Sequence, residues 1–72
     1  MSAFSMRLRE LRVAKKITQK EAAESAELSL RAYMSYELEE KEPNLKSLNK
    51  LADFFEVSTD YLLGRSDNPH PR

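Results

Sequence analysis

Helix-start signals recur along the chain at short intervals. An apolar residue precedes a capping residue at Ile17-Thr18, Leu28-Ser29 and Val57-Ser58, and Asn44 follows Pro43. Thr18-Gln19-Lys20-Glu21 is a capping box: the Thr hydroxyl accepts from the Glu21 amide, and the Glu carboxylate accepts from the Thr18 amide. Ile17 with Ala22, Leu28 with Tyr33 and Val57 with Leu62 sit at the spacing of a hydrophobic staple. Starts at 18, 29, 44 and 58 leave no room for a helix of more than about three turns. Strand signals are nearly absent, since no run alternates apolar and polar over five or more positions.

The predicted elements are five short helices. The first, near residues 5–15, is carried by Leu8, Leu11 and Ala14 with Arg and Lys on its outer side. The second ends near Ala26. The third runs from Leu30 to about Leu38 with Ser29 as its cap. The fourth follows Asn44 and places Leu45, Leu48, Leu51, Ala52 and Phe55 on one face. The fifth follows Ser58, and Gly64 terminates it. Residues 65–72 are expected to form a flexible tail beyond a single domain at 5–64. Seventy-two residues hold one core, and helices this short must pack across one another rather than coil. The fold class is all-α.

Composition narrows the function. There is no Cys and one His, His70 in the tail, so no disulfide and no metal site are expected. No nucleophile stands beside a base and no Gly-rich phosphate loop occurs; Ser66 and His70 in a loose tail would not be preorganised, and neither catalysis nor a cofactor is expected. The start lacks a leader pattern and no stretch of eighteen apolar residues occurs, which predicts a cytoplasmic protein with no membrane contact. Twelve cations balance twelve acids, so the net field draws no polyanion from afar. The distribution is uneven. Arg7 to Lys20 holds six cations and one acid, whereas Ser29 to Pro43 holds Arg31 and Lys41 against Glu37, Glu39, Glu40 and Glu42.

The second and third helices are joined by about three residues, the spacing of a helix-turn-helix in which the second member projects from the body. Small Ala23 suits a close helix approach, Ala26 and Leu28 fill the elbow, and Tyr33 and Tyr36 share the inward face. The run Arg7-Leu8, Leu11-Arg12, Ile17-Thr18-Gln19, Glu21, Ala23, Leu28-Ser29, Tyr33, Tyr36-Glu37, Pro43, Leu48, Leu51-Ala52 and Val57-Ser58 resembles the Cro/repressor-type helix-turn-helix family of phage and bacterial regulators. The resemblance covers residues 7–63 without a gap. It implies a five-helix, lambda-repressor-like DNA-binding domain, a third helix docked in the major groove, and a homodimer on a palindromic operator in double-stranded DNA.

Position by position, the resemblance makes Gln19 a phosphate contact. It turns Ser29, Leu30, Arg31, Met34 and Ser35 toward the groove, sets Lys41 and Lys46 near the backbone, and pairs Arg12 with Glu37. Plainer roles compete. Gln19 suits a solvated first helical position, Lys15 and Lys16 a helix end facing its dipole, and Tyr33 and Tyr36 a core. Arg12 with Glu37, if partly exposed, is worth about 1 kcal/mol.

Three departures from the family pattern stand out. Leu30, Met34 and Leu38 form an apolar stripe where hydrogen-bonding side chains are usual; it can meet thymine methyls or a protein partner. Glu39-Glu40-Lys41-Glu42 puts carboxylates where cations usually meet phosphates. Glu27 and Glu39 replace turn glycines, and a left-handed backbone at either costs about 1 kcal/mol. The sequence therefore supports a DNA-binding regulator and, alternatively, an antirepressor-like protein-interaction module built on the same scaffold through the Leu30, Met34 and Leu38 face. Phe54 and Tyr61, off the main core faces, either close over each other or meet a second copy.

Overall fold

The computed structural model describes residues 2–70. Among them the chain forms five helices and no strand: α1 (Ala3–Ala14), α2 (Gln19–Ser25), α3 (Leu30–Glu37), α4 (Leu45–Phe55) and α5 (Thr59–Leu62). Every start is capped by a side chain in the expected way. Thr18 and Glu21 form the reciprocal box, Ser29 Oγ accepts from Ala32 N at 3.1 Å, Asn44 Oδ1 from Ser47 N at 2.7 Å, and Ser58 Oγ from Tyr61 N at 3.0 Å. α1 begins two residues earlier than periodicity suggests because Ser2 also caps, accepting from Ser5 N.

Leu8, Ala22, Ala23, Tyr33, Leu51 and Leu62 bring all five helices into one buried core. α3 packs on α1 and α2, while α5 packs on α1 and α4. Phe4 closes the lower end edge-on against Tyr36, with ring centroids 6.1 Å apart. Two residues expected on buried faces are outside: Ala14, the last residue of α1, is exposed, and Leu45 is 80% exposed. It occupies the first position of α4, and the helix turns its buried face inward only from Ser47 and Leu48 onward.

Each helix is followed by a residue in the left-handed region: Lys16, Glu27, Glu39, Glu56 and Gly64. Gly64 alone is a glycine, and it is also sterically required, because a Cβ there would run into the Cβ of Ala3. The strain anticipated at Glu27 and Glu39 is present, at φ 60° and 63°. Residues 71–72 of the predicted tail lie outside the described residues. Within 65–70, Arg7 Nη1 donates to the carbonyls of Tyr61 and Ser66, Arg7 Nη2 pairs with Asp67 at 2.9 Å, and Ser58 N donates to the Pro69 carbonyl. No described helix is long and apolar enough to cross a membrane.

Candidate nucleic-acid interface

α3 has an inner and an outer face, and the inner one is set by a buried acid. Glu37 is 1% exposed. Its Oε2 accepts from Arg12 Nε at 2.8 Å and its Oε1 from Arg12 Nη2 at 3.3 Å and Gln19 Nε2 at 3.1 Å, with Arg9 at 3.8 Å. Arg12 Nη1 also donates to the Ile17 carbonyl. One carboxylate thereby joins α1, α2 and α3. Burial acts to raise the Glu37 carboxyl, but the hydrogen bonds from Arg12 and Gln19 outweigh it and hold the group below the ordinary carboxylate range. The same hydrogen bond to Glu37 raises Arg12. Tyr33 Oη is buried near this cluster without a partner in hydrogen-bonding geometry, and burial pushes its phenol well above its usual range. The pair tying α1 to the end of α3 is thus far more buried than the sequence reading allowed, since Glu37 faces Tyr33 and α1 rather than water.

The outer face is free. Ser29, Leu30, Arg31, Met34 and Leu38 are exposed and Ser35 is half-buried. Ser29, Arg31, Ala32, Ser35, Glu40 and Lys41 line one shallow hollow of about 410 Å³ between α3 and the loop that follows it. Four of the eight predicted site residues therefore converge: Ser29, Arg31, Ser35 and Lys41. Leu30 and Met34 lie on the adjacent part of the same helix face.

The remaining two stand apart. Lys46 is exposed on the first turn of α4 and does not line the hollow. Gln19 opens α2, half-buried, with its amide nitrogen on Glu37. Among the described residues neither Arg31, Lys41 nor Lys46 has an acidic partner within ion-pair distance, in contrast to Arg7, Arg9, Arg12 and Lys50.

Hydrogen-bonding capacity on this face is limited. Ser29 Oγ is occupied as an acceptor by its cap, and Ser35 Oγ donates to the Ala32 carbonyl at 2.7 Å. Among the described residues the five donors of the Arg31 guanidinium have no partner. The acidic loop contributes less than its composition suggests. Glu39 turns back to accept from the Ser2 amide, which lowers its carboxyl below the ordinary range, and Glu40 is the one acid lining the hollow. No local signal marks that fold-back, because Ser2 and Glu39 are 37 residues apart. Phe54 and Tyr61, for which the sequence left open closure over each other or contact with a second copy, are both partly buried against the core and take separate neighbours. Phe54 packs on Phe55 beneath Lys15, and Tyr61 lies beneath the Arg7 guanidinium at 4.2 Å.

Comparison with known proteins gives the same architecture a family. The family model described as helix-turn-helix matches residues 8–62. YobD, an uncharacterized HTH-type transcriptional regulator of Bacillus subtilis, is 42% identical over 69 residues, which cover 96% of this chain and 62% of that protein. ImmR, an HTH-type transcriptional regulator of the same organism, is 41% identical over 65 residues, 90% of this chain and 51% of its own. RstR, the cryptic phage CTXphi transcriptional repressor of Vibrio cholerae, is 33% identical over 64 residues, covering 89% and 58%. The chain thus spans little more than half the length of the relatives it matches. No solved structure matches it significantly. With the match running from α1 to the end of α5 and the α2–α3 pair at its centre, the chain belongs to the Cro/repressor-type helix-turn-helix family.

Proposed function

We propose that this chain is the DNA-binding domain of a transcriptional regulator without enzymatic activity, acting as a homodimer on a palindromic site with α3 in the major groove. The observation that carries the reading is the free outer face of α3, where Ser29, Arg31, Ser35 and Lys41 surround one hollow while the inner face is locked to α1 and α2. Arg31 contacts a base edge as a fork, Lys41 and Lys46 meet phosphates, and Gln19 donates to a phosphate with the second N–H of the amide nitrogen whose first is held by Glu37. The names of YobD, ImmR and RstR as regulators or repressors support the assignment.

The test is a mobility shift on duplexes enriched from a random library. Arg31→Ala is expected to weaken binding by about 10- to 100-fold, the worth of one bidentate base contact; an unchanged shift removes Arg31 from the interface. Sedimentation over micromolar concentrations tests the dimer, and a constant 8.4 kDa species would refute it. Protein docking through Leu30, Met34 and Leu38 is favoured by one observation, the presence of Glu40 in the hollow. That reading predicts a folded domain that retards no duplex even at low salt.

A further inference from the structure

At about 100° per residue, Leu30, Met34, Leu38 and Arg31 fall within a single arc of about 100° on α3, and all four are exposed in the structure, the three apolar ones at 41%, 37% and 54%. The serines at the rim of this arc are committed to the backbone of Ala32. Besides one free Ser29 donor and the Ser35 lone pairs, the face offers, among the described residues, the uncommitted Arg31 fork and a row of methyl and thioether groups. In the major groove an apolar side chain distinguishes one base from the rest, because thymine alone presents a methyl there, while a guanidinium fork matches the two acceptors of guanine. Leu30 and Met34 are about 6 Å apart along the helix axis, close to two base steps of about 3.4 Å each. Leu38, a further turn along, lies beyond the N-terminal part of a recognition helix that reaches base edges.

Resting on the DNA-binding reading above, we propose that Leu30 and Met34 are specificity residues that read thymine methyl groups. Each half-site then contains two thymines about two steps apart beside one guanine held by Arg31. Charge favours this occupant over a protein helix. Among the described residues Arg31 and Lys41 line the hollow beside the stripe without an ion-pair partner, which favours a ligand that brings anionic groups along with its apolar ones, as thymine-bearing duplex does. Glu40, the one acid in the same hollow, is outnumbered there by these two cations.

The experiment replaces each thymidine of a library-selected duplex, one at a time, by deoxyuridine, which removes the methyl and leaves the pairing edge intact. Affinity is read by fluorescence anisotropy at fixed salt. Two replacements per half-site are expected to weaken binding by about fourfold each, the value of one buried methyl, and the other thymidines to be silent. In Met34→Ala, which keeps a good helix former at an exposed position, one of the two penalties disappears while thermal unfolding stays cooperative. A selected duplex indifferent to every replacement overturns the proposal and leaves the stripe to a protein partner. So does a Met34→Ala domain that retains both penalties. A library from which no duplex is enriched at low salt overturns the DNA-binding reading, and this inference falls with it.

Discussion

The two sides of α3 differ in everything except their backbone. Inward, Tyr33, Tyr36 and Glu37 are buried, and the acid is bound to side chains from two other helices. Outward, the side chains of Leu30, Arg31, Met34 and Leu38 have no ion-pair or hydrogen-bond partner among the described residues and line no part of the core. An eight-residue helix is too short to hold itself in water, so its helicity comes from the inner side alone. The outer side is thereby left free to vary without loss of fold. On the proposed function, stability and recognition occupy opposite faces of one segment, and substitutions should separate them.

Arg12→Ala is expected to separate them most strongly. It leaves a buried carboxylate with a distant Arg9 and one amide, and a loss of about 3 kcal/mol is expected by urea unfolding; Arg31→Ala should move the same midpoint by less than about 0.5 kcal/mol. If the two midpoints fall together, the inner face is not the anchor described here.

On α3 itself, acid should act on the inner side. The Glu37 carboxyl is held below its ordinary value of 4.5, so its contribution is fully present above that value and is lost as pH falls through the lowered one. Stability should decline below about pH 4.5, and Glu37→Gln should flatten part of that slope. An identical slope in the variant would assign the acid sensitivity to other carboxylates.

Smaller effects belong to the edges of the comparison. Glu27, which precedes α3 in the left-handed region, has only a 4.0 Å contact with Lys50 to lose. Glu27→Gly should raise stability by about 0.5 kcal/mol, relief of backbone strain offset in part by a freer unfolded chain. Calorimetry showing a lower melting temperature would contradict the strain. Glu40→Gln, on the recognition side, should leave unfolding unchanged and tighten duplex binding by about threefold, the scale of one exposed charge interaction. Unaltered binding would place Glu40 outside the contact zone.

Much of this arrangement was legible because caps and staples are local. Thr18, Ser29, Asn44 and Ser58 each act within four residues, and their helices begin where the residue types require. The inward phase of Tyr33 and Tyr36 was likewise readable from helical spacing. Leu45 was misplaced since periodicity assigns a face but cannot tell how far a neighbouring helix reaches along it. Lys16 and Glu56 gave no sign of a left-handed backbone, being ordinary charged residues at turns whose shape is imposed by packing. The convergence of Ser29, Arg31, Ser35 and Lys41 was legible only through the family resemblance. The engagement of Gln19 with Glu37 and of Glu39 with Ser2 joins positions 18 and 37 apart, beyond the range of any local rule.

The single carboxylate of Glu37 also fixes the azimuth of α3 about its own axis. Loosening it would rotate Leu30, Arg31 and Met34 off target together, at no cost to their individual chemistry. In a mutational scan scored by promoter output, Arg12 would then mimic a base-reading residue although its guanidinium is engaged by Glu37 on the inner side of α3. Only a parallel assay of folded protein would unmask it as the part that aims the others.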